Sequence, residues 1–157
     1  MINTDSMPQV TSSDNWLMSI HGFEEMVYSV QAFSLPGISL GSTPMPSKSN
    51  IIPNITGDKL QFDPLSVTAL HDRRFLGYLS VFNWMTTNSK SDFPVLRDII
   101  ITAFDPLHPE ERLRIKFFDA FPIAINGPDY DAQGDIPTQT VSYTFVYDYF
   151  VIEPEIS

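Results

Sequence analysis

Between Gln139 and Ile152 the chain places Val141, Tyr143, Phe145, Tyr147, Tyr149 and Val151 at every second position, with Ser142, Thr144, Val146, Asp148 and Phe150 between them. Successive side chains of a strand point to opposite faces, so this spacing gathers each set on one face of a long final strand. Aromatic and β-branched residues suit a pleated surface, and such a strand needs partners. The rest of the sequence supplies them. Trp16–Ile20 and Met26–Phe33 read as two strands joined by a turn over 21–25, with Met26, Tyr28, Val30 and Ala32 on one face. Lys59–Leu70 reads as a strand interrupted by Pro64, which cannot donate to a ladder and so points to an edge or a bulge. Asp98–Phe104 is strongly apolar and is followed by a two-proline turn, Asp105–Pro109. Leu113–Phe121 alternates Leu, Ile and Phe with Arg and Lys, as a half-buried strand does. The economical architecture is a mainly β sandwich or barrel.

Two segments do not fit that pattern. Residues 72–86 read as the one short helix, with Asp72 as N-cap and Phe75, Leu79 and Phe82 at helical spacing. Leu35–Gly57 holds Pro36, Pro44, Pro46 and Pro53 and is too long for an ordinary connection, where about 4–6 residues are typical. It nevertheless keeps Ile38, Leu40, Met45, Ile51, Ile52 and Ile55. A solvated linker has no use for these residues. The segment therefore reads as an extended arm or open hairpin that packs on a neighbouring subunit, the alternative being an irregular loop folded on its own domain. Residues 1–13 read as a flexible arm, and the whole of 1–157 as a single domain.

Composition narrows the chemistry. The 157 residues are 43% hydrophobic and 13% aromatic, which is globular rather than disordered. There is no cysteine, which excludes disulfides, zinc–thiolate sites and thiol nucleophiles. No apolar run reaches the ~20 residues that span a bilayer, and the N-terminus lacks the charged-then-apolar order of a signal peptide. Net charge is −10, so the chain is expected to repel nucleic acid and anionic membranes. From Phe117 onward there are seven acids and no Lys or Arg. His21, His71 and His108 lie far apart with no metal-ligand spacing, and no nucleophile elbow or phosphate-binding glycine loop occurs. Asp129–Asp135 has the look of a calcium loop, but Thr140 stands where the closing Glu belongs. No cofactor, metal site or catalytic residue is expected.

Four stretches in a fixed order carry a family resemblance: Phe33-Ser34-Leu35-Pro36-Gly37-Ile38, the segment from Thr56-Gly57-Asp58 to Thr68, Ile115–Pro122, and Thr140–Phe150. This order, over Trp16 to Ile152, resembles the tail tube proteins of contractile-tailed bacteriophages. In that family a strand closing in a Leu-Pro turn leads to a long arm. A Gly-Asp segment opens the next strand, and an aromatic-Pro bend precedes a closing strand ending in Asp-Tyr plus an aromatic. The chain departs from the family in its extra residues at 1–10, in Pro64 and in its proline-rich arm.

The resemblance implies a structural protein rather than an enzyme. Its subunits would form hexameric rings stacked into a tube around a DNA channel, in a fold shared with the type VI secretion tube protein. It also implies a virion component assembled in the host cytoplasm, with sheath, baseplate and tail terminator proteins as partners and no membrane insertion. DNA would pass without being held, and the candidate channel-facing acids are Asp119, Asp129, Asp131, Asp135 and Asp148. Two other readings stand beside it. One is an initiator, terminator or baseplate ring of the same fold. The other is a small β-sandwich binding module that displays Tyr143, Tyr147 and Tyr149.

Overall fold

The computed structural model of the protein describes residues 16–24, 26–48, 50–71, 74–104, 111–128 and 139–156. The expected arm at 1–13, the Asp105–Pro109 turn, the Asp72 cap and the 129–135 loop lie outside these residues. The described elements are β1 (Trp16–Ile20), β2 (Val27–Phe33), β3 (Ile38–Pro44), β4 (Asn54–Phe62), β5 (Leu65–Leu70), α1 (Leu76–Lys90), β6 (Arg97–Phe104), β7 (Glu111–Asn126), β8 (Thr140–Val146) and β9 (Tyr149–Ile156).

Seven strands form one sheet in the order β6-β1-β2-β5-β8-β7-β9, and β6 also pairs with β7. That extra pairing closes six strands into a barrel and leaves β9 attached to β7 alone. Every pairing in it is antiparallel, with Trp16 opposite Val30, Val67 opposite Tyr143 and Ile101 opposite Ile115. The inward set alternates as the period of two requires: Met18 and Ile20, Tyr28 and Val30, Leu65, Val67 and Ala69, Ile99 and Ile101, Val141, Tyr143 and Phe145 are all buried. Closure removes the sheet edges that these strands would otherwise present.

The stretch read as one strand over Lys59–Leu70 is two. Asp63 and Pro64 separate β4, which belongs to a two-stranded sheet with β3, from β5, which lies between β2 and β8. Pro64 therefore marks neither an edge nor a bulge. It sits where the chain leaves one sheet for another, and no ladder donor is needed there.

The final strand is also divided. Its first half, β8, buries Val141, Tyr143 and Phe145, with Tyr147 following, as the alternation predicts. At Asp148 the parity changes. Tyr149 and Val151 turn outward, and Phe150 packs against Phe62 and Phe117 instead. The cause lies opposite, in β7. Asp119 there has φ 52, a left-handed conformation that a strand residue seldom adopts. Upstream of it Ile115 and Phe117 are buried; downstream the buried pair is Ala120 and Pro122. One residue out of step flips every later side chain, and the partner strand follows.

Helix α1 starts and ends four residues later than the 72–86 reading. Its N-cap is Phe75, with φ 59 and no capping hydrogen bond from its side chain. Its C-terminal turns survive their polar residues because the hydroxyls bond back to the helix: Thr86 Oγ1 donates to Phe82 O at 2.9 Å and Ser89 Oγ to Thr86 O at 2.7 Å. The buried face is Gly77, Val81 and Trp84, and the Phe75, Leu79 and Phe82 stripe read from the sequence faces outward. Gly77 is buried because Tyr28 needs the room: a Cβ there would stand 2.8 Å from the Tyr28 ring. Tyr28 also donates to Gly77 O at 3.0 Å, which ties the helix to β2.

Candidate assembly surfaces

Strands β3 and β4 pair with each other from Ile38–Phe62 at the base to Pro44–Asn54 near the tip. Met45 N donates to Pro53 O at 2.7 Å and closes the tip; Asp63 N donates to Gly37 O at 3.0 Å and closes the base. Between them Gly57 comes so close to Gly41 that a Cβ at Gly57 would overlap the Gly41 carbonyl. Only glycine fits that crossing, which lies at the register shift between Leu40 and Ser42. The segment read as an arm over Leu35–Gly57 is thus the first strand, the tip and part of the second strand of a hairpin that runs on to Phe62. All six residues assigned to the arm, Ile38, Leu40, Met45, Ile51, Ile52 and Ile55, are exposed, Ile51 the most at 76%. Leu60, which the reading did not include, is exposed with them. A half-exposed Ile or Leu leaves roughly 1 kcal/mol of burial unrealised.

A second apolar surface lies on α1. Phe75, Leu76, Leu79 and Phe82 all face outward, and Tyr78 stacks on Phe82 with ring centroids 6.2 Å apart. A helix apolar on both faces is one that expects cover on both. The sequence pattern had found this stripe at helical spacing without saying which way it faces. The buried Gly77, facing an aromatic ring, was the signal that the core lay on the opposite side.

Of the candidate acids, the structure brings Asp119 and Asp148 together and adds Asp98. Asp119 N donates to Asp98 Oδ1 at 3.1 Å, and Asp148 N donates to Phe118 O at 2.9 Å. Lys116 Nζ stands 3.8 Å from Asp98 Oδ2 and partly offsets the group. Lost hydration, then the neighbouring Asp148 carboxylate and its hydrogen bond, then Asp98, hold the Asp119 carboxyl above the usual carboxylate range. Asp129, Asp131 and Asp135 lie outside the described residues. Sequence reasoning missed Asp98 because it stands on a different strand, β6, at a register that only the barrel defines.

The aromatic platform does not exist as expected. Tyr143 and Tyr147 are 2% and 7% exposed, and Tyr147 donates to Asp63 O at 2.8 Å. Burial pushes both phenols up to about 12. Only Tyr149 of the three is exposed, stacked on Phe118 at 4.5 Å. His21 sits on the exposed β1–β2 turn beside Glu24 at 3.2 Å, and the His71 ring packs on Phe75 at 4.2 Å. His108 lies outside the described residues. Among the described residues no group of three His, Cys, Asp or Glu is placed to hold a metal ion, and no helix is long and apolar enough to cross a membrane.

A closed, side-chain-filled barrel with one helix against it and an apolar hairpin standing outside it is the fold of tube proteins of contractile injection systems. Solved structures that share it include a chain of the sheath–tube complex of an extracellular contractile injection system, PVC, in the extended state. That chain is 15% identical, with a TM-score of 0.71 over 98% of this chain and 99% of that one. A chain from the sheath/tube terminator of the same system gives 0.74 at 14% identity, over 94% and 99%. Hcp1 from Flavobacterium johnsoniae gives 0.52 at 12% identity, over 90% and 98%. No family model matches the chain, and no curated protein matches it in sequence. At these identities the likeness is one of fold.

Proposed function

We propose that this chain is a structural, non-enzymatic subunit of a phage-type contractile tail. Copies associate into hexameric rings, and the rings stack into the tube through which DNA is delivered. The observation that carries this reading is the β3–β4 hairpin. Nearly all of it is exposed, it carries seven exposed large apolar side chains from Ile38 to Leu60, and beyond Phe62 at its base a closed barrel offers them no place to pack. Apolar surface of that extent is stabilised when a neighbouring copy covers it. A head-to-tail contact of hairpin on neighbour propagates around a ring and then from ring to ring. The fold of the sheath–tube complex chain supports the same reading, and a chain of a six-fold symmetrised anti-feeding prophage baseplate with the same fold (TM-score 0.70, 12% identity) supports the ring number. A sheath, a baseplate and a terminator would then be the partners, and the virion the destination.

In such a ring every acid is repeated, so acids that face the channel form closed negative belts. Phosphates are repelled over a distance like the Debye length, about 10 Å at 0.1 M salt, and the duplex slides without sticking. Asp119 and Asp148, with Asp98 on β6 beside them, are the described candidates for this wall. Asp129, Asp131 and Asp135 remain candidates from the sequence.

A second reading has its own support. The terminator chain matches at a TM-score of 0.74, and a chain of an anti-feeding prophage tube-terminating cap at 0.68. Either role fits a ring that closes a tube end. Negative-stain microscopy of the purified full chain at rising concentration separates these outcomes. Tubes support the repeating subunit; single rings that never stack support the terminal ring. A protein that stays monomeric at high concentration and is never nucleated by baseplates overturns both.

A further inference from the structure

The corner where α1 runs into β6 has features that the hairpin does not account for. Three hydrogen bonds clip this connection to the helix. Trp84 Nε1 donates to Val95 O at 2.7 Å, Asn88 Nδ2 to the same carbonyl at 3.3 Å, and Val95 N donates to Asn88 Oδ1 at 2.8 Å. Ser91 Oγ closes the turn, donating to Phe93 O at 2.9 Å and accepting from Phe93 N at 3.1 Å. On this pinned loop Phe93 is 86% exposed, more than any other large apolar side chain described. An aromatic held out on an ordered loop has already lost the freedom that binding would otherwise remove.

Beside the loop is a cleft of about 250 Å³, lined by Phe23, Ser80, Trp84, Val95 and Arg97 among others. The Arg97 guanidinium lies over the Phe23 ring at 4.5 Å and near Trp84 at 5.6 Å. Its Nη1 donates to His21 O at 3.1 Å, and its Nε is buried with no partner. A guanidinium carries five N–H donors, and an unpaired buried donor is costly. Glu24 feels the Arg97 charge, but its Oε1 is committed to other partners. It accepts from Gly22 N at 3.0 Å and stands 3.2 Å from His21 Nδ1. Gly22 makes the arrangement possible: it has φ +92, and a Cβ there would overlap Arg97 Nη1. A cation is thus held beside aromatic rings, with its Nε unpaired among the described residues, on a molecule that carries 19 acids against 9 basic residues.

We propose that this corner is a receptor for a second copy of the chain: a carboxylate side chain of the neighbour enters the cleft and bonds Arg97 at Nη2, while the neighbour's surface covers Phe93. The inference rests on the assembly reading and supplies it with a contact separate from the hairpin. The acid surplus favours this occupant, because each copy offers many carboxylates and few cations to receive them. Between flanking rings and away from bulk water, an Arg–carboxylate pair is stronger and more directional than on an open surface. Arg and aromatic side chains, Phe included, are also enriched at protein interfaces.

Full-length wild type, Arg97→Gln and Phe93→Ser are compared by sedimentation velocity and negative-stain microscopy over a concentration series, with melting curves for each. Both variants should fold and should need roughly tenfold more protein to assemble. Arg97→Lys should restore assembly only in part, since a compact ammonium cannot both bond His21 O and pack flat on Phe23 and Trp84 while it receives the carboxylate. If Arg97→Gln fails to fold, Phe93→Ser decides alone, because so exposed a side chain belongs to no core. Wild-type-like assembly of the folded variants overturns this corner and leaves the tube reading standing. A wild type that never self-associates overturns both.

Discussion

In the barrel, Met18, Phe117 and Phe145 lose all contact with water, whereas in the hairpin Leu40, Ile52 and Leu60 keep about half of their surface in it. Both regions are antiparallel β structure with apolar side chains, and composition alone does not separate them. Closure does. Each barrel strand has two neighbours and an interior to face, while β3 and β4 have only each other. The barrel is stabilised by its own chain, and the hairpin's apolar surface is left exposed. The sharpest way to break this contrast is to remove the hairpin. Deleting residues 42–56 joins Gly41 to Gly57, a Gly-Gly pair suited to a tight turn. The barrel should melt within a few degrees of wild type by circular dichroism, and rings or tubes should vanish from negative-stain fields. Loss of the barrel as well would mean that the hairpin belongs to the core.

Single truncations test the same contrast on a smaller scale. Phe145→Ala should cost about 3–5 kcal/mol in urea titrations of the unassembled protein, as full burial of a Phe demands. Ile55→Ala should stay within about 0.5 kcal/mol there. Similar costs at both positions would show that the monomer already covers its hairpin. Gly57→Ala should act locally. The methyl meets the Gly41 carbonyl, so hydrogen exchange should quicken across β3 and β4 while the barrel amides stay protected.

The smallest effect is electrostatic. The native Asp119 carboxyl titrates above its unfolded value, so the native state holds the proton more tightly. The charged form therefore opposes folding, and this penalty grows as pH rises from the ordinary carboxylate range through the raised native value. Asp119→Asn removes the charge and keeps a residue tolerant of left-handed backbone. Its melting temperature should match wild type at low pH and exceed it slightly near neutrality. An advantage that appears only in acid would have the wrong sign for this account.

Much of this fold was legible because alternation reports directly on burial. β1, β2 and β8 lie where period-two spacing placed strands, and Val141, Tyr143 and Phe145 share one face of β8 as the spacing required, the inward one. The failures have local causes. Asp119 takes a conformation that its residue type rarely signals, and so reverses the parity of everything paired beyond it. Phe75, Leu79 and Phe82 formed a better helical stripe than Gly77, Val81 and Trp84, because an outward apolar face and an inward one look alike in sequence. Of the surfaces, the hairpin's six apolar residues were legible as out of place in a solvated linker. The Asp98 contribution and the Arg97 cleft were not, since both depend on strands brought together by barrel closure.

The attachment of β9 has a mechanical consequence. It is held by β7 alone, in an antiparallel register running from Phe118–Tyr149 to Glu111–Ile156. Tension applied at Ile156 across the strands therefore loads its hydrogen bonds one after another, as a zipper opens. The peel meets its first strong resistance at Asp148, where the chain enters β8 and gains β5 as a second neighbour. Force on this end is thus relieved by a short, reversible fraying of eight residues before any of it reaches the closed wall.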